Sequence, residues 1–525
     1  MKISVSKYIP DTILAIVVMF TIVAGVFLYL SPPALFPDPA WGFQVMRSMQ
    51  MGAHFNLLVK PDQADISRNT AEFLTWWAPG QYLIPWFFKF FGCNTGQAAA
   101  ITITLCQLLG LSGFYCFFKK IGFSPLIAAL SIAFIACQQF YALNYIFYNG
   151  GEILLFAFTG WFLYGCIDLQ KPGLRLFLFV LFAGWLGFFC KSSVMWVYIA
   201  GLFFLWLRLS LPQRSLSSHI KNGVWIAIPA LTALITIYIF FSSKGQNPAS
   251  VSGQLKLVWQ TFSFPLASPL LAGFSLDDLA HGLLFHSGTP IFSQPVAILI
   301  IVVLAFISLI LVFAIIRLVP NNDYKLLILV FYAISLSFFS YAYLRQMAIS
   351  YEARHYRVIG IIVTPGIFYL LGQWKVGYQA CFGLIWLCIA WSSFHYLAKG
   401  YRLNEEKGVR GISGFAQQFI DLPSLHQVMT LDNEYHDAEA IFAFTSNDIG
   451  LEIQHNRIIT LENIADYDHI NLEDYEYDGH AGPLYILLPI SYQGEKADTI
   501  LKFFPGYKVF TETRLSEKYV LYSAK

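Results

Sequence analysis

Apolar runs of membrane-spanning length fill the first 400 residues, and this restricts the fold more than any other feature. A run of about 18–20 apolar residues crosses hydrocarbon as a helix, because every backbone polar group must then be bonded within the segment. Such runs lie near 11–30, 98–118, 124–142, 150–168, 174–190, 193–208, 221–241, 294–317, 325–344, 357–373 and 377–397, about eleven in all. Of 525 residues, 57% are hydrophobic, 17% aromatic and 12% charged, against roughly 25% charged in a soluble domain. The expected fold is an α-helical polytopic membrane protein. The net charge of +2 comes without a basic tract, so nucleic acid is not an expected partner.

The run after Lys2 and Lys7 reaches about Leu30 and is followed by SPPALFPDP, with no small-x-small site. It reads as a retained first helix rather than a cleaved signal. Most cysteines lie in apolar segments, and none shows metal-ligand or disulfide spacing.

With the N-terminus inside, the turns holding Lys119 and Lys120, Lys171 and Arg175, Arg208, Arg214 and Lys221, Arg317 and Lys325, and Lys375 all fall inside. That satisfies the positive-inside rule. The same orientation places outside the loops of 31–97 and 242–293 and everything after residue 399. The first loop carries Trp41, Trp76, Trp77, Tyr82 and Trp86, interrupted at Pro79-Gly80. The second is semi-apolar (LKLVWQTFSFPLASPLLAGF, then LDDLAHGLLFH). Both suit interfacial helices that roof a cavity.

Two domains follow: a membrane domain over 1–400 and a small α/β domain over 401–525. The latter rests on the strand-like runs QVMTL, AIFAFTS, RIITL, PLYILLP, YKVFTE and KYVLYS, with a helical EKADTILKFF. The acidic DYDHINLEDYEYDGH lacks the grammar of a calcium loop and reads as a solvated turn.

A second set of ionisable residues sits at the outer ends of the spans: Asp38, Glu152, Lys191, Arg345, Glu352, Arg354, His355 and Arg357. A charge at a helix centre in hydrocarbon costs about 2.5–3.5 kcal/mol, so a one-sided group of them points to a site. Asp38, in FPDPAW, suits a general base at a partly desolvated position; it equally suits a turn between two prolines. Glu152 follows Gly150-Gly151, which permit close approach, though a helix start favours Glu for dipole reasons alone. Lys191 is the lone charge between Arg175 and Arg208, and snorkelling is its plain alternative.

LRQMAISYEARHYR concentrates three arginines against the inside trend. Arg354 and Arg357, three apart, share a face if a helix starts there. Guanidinium forks bind phosphate in bidentate fashion, and a helix start supports anions. Pairing with Glu352 or with lipid headgroups is the alternative. No Walker loop, dinucleotide fingerprint, HExxH or nucleophile elbow stands in a supporting context. A nucleotide-linked donor is disfavoured, since nucleotides are cytoplasmic and the site is not.

Five features in this order resemble the GT-C superfamily of polytopic glycosyltransferases, the group of protein O-mannosyltransferases and the aminoarabinose transferase of lipid A. They are an acid after the first span (Asp38), the segment WWAPGQYLIPWFFKFFG, the acid-led helix of NYIFYNGGEILLFAFTGWFLY, CKSSVMW, and YEARHYRVIGIIVTPG. The resemblance covers about residues 1–400, and a soluble domain after the last span also fits it. Two positions depart from the pattern: Pro39 follows Asp38 where a second acid is common, and Ala78 replaces a His. Asp62, Asp65 or Glu72 could therefore share the role of Asp38.

The resemblance implies inverting transfer of a sugar from a polyprenyl-phosphate donor to a glycan, lipid or protein acceptor. Asp38 would act as base and Glu152 would orient the acceptor or assist the base. Lys191, Arg345, Arg354 and Arg357, with His355, would meet the phosphate. It also implies a bacterial plasma (inner) membrane, with site and C-terminal domain outside the cytoplasm. Some relatives need a divalent metal and others none; these residues do not choose. The competing readings are an envelope polysaccharide polymerase, ligase or flippase, and a membrane-anchored binding protein. A flippase should line a mid-membrane cavity with its charges, which here gather at one face.

Overall fold

The computed structural model describes residues 8–245, 253–276, 292–461 and 475–525. In chain order its helices are α1 (Ile9–Leu30), α2 (Pro37–Gln50), α3 (Gly80–Lys89), α4 (Thr95–Lys120), α5 (Pro125–Ala136), α6 (Gln139–Leu143), α7 (Gly151–Asp168), α8 (Leu174–Cys190), α9 (Val194–Ser210), α10 (Leu216–Phe240), α11 (Gln260–Gly273), α12 (Gln294–Leu318), α13 (Asn322–Leu344), α14 (Arg357–Leu371), α15 (Val376–Glu406), α16 (Leu422–Glu434) and α17 (Glu495–Leu501). The strands are β1 (Ala34–Leu35), β2 (Leu57–Pro61), β3 (Asn69–Phe73), β4 (Phe147–Tyr148), β5 (Ile441–Phe444), β6 (Arg457–Thr460), β7 (Leu484–Pro489), β8 (Thr511–Arg514) and β9 (Tyr519–Ala524).

Among the described residues, eight helices are long and apolar enough to cross a membrane: α1, α4, α7, α12, α13, α15, and α9 and α10 with their short 3₁₀ extensions. The chain is a polytopic helical membrane protein. Three expected spans are helices of fewer than 18 residues. The run 124–142 breaks at Cys137-Gln138 into α5 and α6, α8 stops at 17 residues, and α14 has 15. The break between α5 and α6 is satisfied locally. Ser275 Oγ accepts from the backbone of Gln139 (2.8 Å) and donates to Gln138 Oε1 (2.7 Å), so a backbone donor freed by the break keeps a partner.

The chain forms two compact units. The first comprises Met1–Gly25, Ile103–Asn144 and Gly151–Ala398. Within it α11 does more than line an interface: it packs against α12, α13 and α14. A Cβ on Gly360 would stand 2.7 Å from the Pro269 carbonyl oxygen, so α11 and α14 meet backbone to backbone, as small residues allow between membrane helices. Beside this crossing Phe264 is ringed edge-on by Tyr343, Tyr351 and Tyr356.

The second unit comprises Val26–Thr102, Tyr145–Gly150 and Lys399–Lys525. Its main sheet has the order β6-β5-β7-β9-β8, with β5, β6 and β7 parallel and β9 antiparallel to both β7 and β8. One face packs Leu425, Val428 and Leu431 of α16; the other packs Ala497 and Ile500 of α17. Alternate strand residues thus feed two cores, as a sheet covered on both sides requires. QVMTL, expected as a strand, lies inside α16. Asp421 accepts from the Ser424 N–H and Pro423 occupies the first turn, so the cap overrides the β propensity of Val and Thr. DYDHINLEDYEYDGH falls largely outside the described residues.

The β2–β3 hairpin, from the first loop, docks on this sheet. Ile66 is fully buried in the α17-side core, and its carbonyl accepts from Arg457 (2.7 Å). Asp62, Asp65 and Glu72 belong to this hairpin, and each has a local partner: the Ala64 N–H, Ser67 with Arg68, and Lys60.

Two buried acids follow β5. Burial pushes the Asp448 carboxyl up to about 6, against a hydrogen bond from Ser446, and it also raises Glu452 against bonds from Ser413 and Gln417. An acid whose folded pKa is raised adds stability in full below its unfolded value, and that stability is lost as pH rises through the folded value. Between pH 4 and about 6 the unit should therefore lose about 2–3 kcal/mol through Asp448. Asp448→Asn should remove most of this loss. Melting curves at pH 4 and 7 check it; an unchanged pH difference in the variant would contradict it.

Candidate anion-binding site

The site is built where α8 ends and α7 and α14 begin, all in the first unit. At Lys191 the backbone leaves helical geometry (φ −163°, ψ 133°), and α9 starts three residues later. Glu152 stands in the first turn of α7. A Cβ on Gly151 would lie 3.1–3.2 Å from the Lys191 side chain and 3.1 Å from the Cys190 carbonyl. Glycine there lets the end of α8 lie against the start of α7, and Lys191 Nζ donates to Glu152 Oε1.

The loop after α13 supplies the other charges. A 3₁₀ turn, Ala353–Tyr356, leads into α14, whose first residue is Arg357. Arg354 Nε is 3.9 Å from Glu152 Oε1 and also pairs with Glu352. Arg357 Nη1 is 3.8 Å from Glu152 Oε2. The Arg357 guanidinium stacks 4.7 Å over the Phe140 ring, an attraction that orients the planar group. Phe140 carried no signal in the sequence, being one more apolar residue in an apolar run.

Three cations thus converge on one carboxylate whose side chain is 4% exposed. With Glu352 included, three positive charges face two negative ones among the described residues. A surplus charge in low dielectric is costly unless an anion joins it. Two further observations agree. Burial, then the repulsion of Lys191 and Arg354, pushes the His355 imidazole down to about 3, so it stays neutral; its Nε2 lies 3.3 Å from Ser350 Oγ. Burial also lowers the Lys191 ammonium, with Arg354 and Arg357 adding to the fall and Glu152 opposing it. Arg357 itself is only 9% exposed and its buried Nε has no hydrogen-bond partner among the described residues. It opens a 15-residue helix, whose dipole favours an anion, though its own N–H is bonded to the Arg354 carbonyl.

Of the residues singled out in the sequence, Glu152, Lys191, Glu352, Arg354, His355 and Arg357 lie in this cluster. Arg345 caps the C-terminal end of α13. Asp38 belongs to the second unit, half-buried in the first turn of α2. Among the described residues no three His, Cys, Asp or Glu side chains gather as metal ligands.

No family model and no curated protein matches the sequence. Similar solved structures include the arabinofuranosyltransferase AftD from Mycobacteria, at 11% identity and TM-score 0.46, over 97% of this chain and 39% of that one. They also include ArnT from Cupriavidus metallidurans in the apo state, at 11% identity and TM-score 0.42, over 97% of both chains. This chain spans about two fifths of the length of AftD. At 11% identity the likeness concerns the course of the chain and carries over no residue's role.

Proposed function

We propose that this chain is a membrane glycosyltransferase that moves a sugar from a polyprenyl-phosphate carrier to an acceptor hydroxyl on the extracytoplasmic side of a bacterial plasma membrane. The observation that supports it most is the convergence of Lys191, Arg354 and Arg357 on Glu152, a surplus of positive charge among the described residues. The donor is a phosphodiester carrying one negative charge. When the bond from the anomeric carbon to the phosphate oxygen breaks, both electrons go to that oxygen and the carrier leaves as a phosphate monoester with two. Lys191, Arg354 and Arg357 meet that added charge, and stabilisation that grows along the reaction is what lowers a barrier.

A stable phosphate needs no strong general acid. The acceptor does need a base, because an alcohol is a poor nucleophile until its proton leaves. Asp38 takes that proton as the acceptor oxygen attacks the face opposite the phosphate, with inversion. Glu152, engaged by three cations, sets their positions and is poorly placed to take a proton itself. Arg345 and His355 complete the phosphate side, His355 as a neutral group. The surrounding Phe140 and tyrosines exclude water that would hydrolyse the donor.

The test is transfer from a panel of radiolabelled polyprenyl-phosphate pentoses and hexoses to native membrane acceptors, wild type against Asp38→Asn. Removing a general base should lower kcat by about 10²–10⁴-fold. Equal turnover by the two proteins would remove Asp38 as base. No turnover on any donor would count against the transferase reading and for a polymerase, ligase or flippase.

A further inference from the structure

Asp38 lies in the first turn of a helix that opens Pro37-Asp38-Pro39. The turn closes through the Ala40 N–H on the Phe36 carbonyl at 3.3 Å, and the prolines cost it no helical bond. Further bonds reach it from more than 400 positions away. Asn447, three residues past the end of β5, is 1% exposed. Its Nδ2 donates to the carbonyl oxygen of Pro37 at 3.0 Å. Its own carbonyl oxygen accepts from Gln44 Nε2 at 2.7 Å, and the same Nε2 reaches Thr460 Oγ1 at the end of β6 at 3.2 Å. Pro37 and Gln44 are seven residues apart, about two helical turns, and so lie on one face of α2. One asparagine therefore clips the helix at both points, which fixes its rotation and its shift along its axis. A turn further on, Arg47 donates to the carbonyls of Ile453 and Asn456, each at 2.5 Å. Gln44, at 6% exposed, is buried with its partners.

The density of buried, directional bonds exceeds what docking one amphipathic helix on a sheet edge requires, since apolar contact alone would do that. Phe43, on the same helix, already supplies such contact through Tyr148 and Phe415. The bonds act on orientation, and the residue they bracket most closely is Asp38, next in sequence to Pro37. We infer that Asn447 is a positioning residue for Asp38, holding the first turn of α2 so that the carboxylate is presented in one place. The inference rests on the reading of Asp38 as the base.

The test uses the full-length protein in membranes and whichever polyprenyl-phosphate sugar of the panel is turned over. Asn447→Ala removes the clip, and Asn447→Asp keeps its shape but loses the donor to Pro37. Both should lower kcat by about 10–100-fold, the scale on which a displacement of about 1 Å acts, with donor KM unchanged and the melting temperature lowered by the buried bond lost. In an Asp38→Asn background Asn447→Ala should lower kcat no further, because no carboxylate remains to be misplaced. Wild-type kcat in both Asn447 variants would overturn the inference while leaving Asp38 as base. So would an equal loss in both backgrounds, or a fall in melting temperature alone. If Asn447→Ala does not fold, Gln44→Met is read by the same criteria, since it removes only the second clip. Normal turnover by Asp38→Asn would fail the base assignment first, and Asn447 with it.

Discussion

Arg357→Gln should reduce sugar transfer by about 10²–10³-fold, the usual effect of deleting one preorganised donor to a developing oxyanion. Arg357 is 9% exposed, its guanidinium held over the Phe140 ring and 3.8 Å from Glu152 Oε2 without a close hydrogen bond to it. Its hydrogen-bonding capacity is thus not consumed by Glu152. Because the phosphate gains charge as it leaves, kcat should fall more than donor affinity. Arg357→Lys keeps the charge but loses the planar fork and the ring contact, so its rate should fall between the two. Single-turnover measurements separate chemistry from binding. An Arg357→Gln enzyme with unchanged kcat would exclude this guanidinium from leaving-group stabilisation.

Glu152→Gln should have the largest effect on stability. Removing one partner of a buried ion pair costs about 3–5 kcal/mol, because the remaining charge stays buried and unpaired. Here Lys191, Arg354 and Arg357 would all lose the carboxylate they face, leaving Glu352 beside Arg354. The variant should melt well below wild type, and a phosphate ligand should restore more of the loss than it adds to wild type. That follows from mass action if the anion binds the same cations. Thermal melting with and without undecaprenyl phosphate measures both. A Glu152→Gln protein as stable as wild type would mean that the cations do not depend on this carboxylate. Equal stabilisation of the two proteins by the lipid would mean that it binds elsewhere.

The long spans were legible because hydrophobic runs of this length have one outcome in a bilayer. The run 124–142 broke where Gln138 bonds Ser275, which run length does not reveal. Strands β5, β6, β7 and β9 fall on the runs expected for them, because apolar β-branched and aromatic clusters bounded by turns are distinctive. QVMTL was misleading because the Asp421 cap lies outside it. Lys191, Arg354 and Arg357 stood out as charges beside apolar segments, and charge next to hydrocarbon is rare enough to notice. Asn447 and Gln44 gave no such signal. Each is an ordinary polar residue in its own segment, and only the fold pairs them across 403 positions.

That separation bears on how the protein is made. A ribosome adds roughly 5–20 residues each second, so about 400 further residues take on the order of 20–80 s. During that interval α2 and the β2–β3 hairpin exist without Asn447, Arg457 or the sheet on which Ile66 is buried. The amino-terminal segment must therefore stay unaggregated, with apolar surface uncovered, until the carboxyl-terminal strands emerge. Chains truncated before residue 440 should depend on folding helpers, because they never acquire the partner their early half awaits.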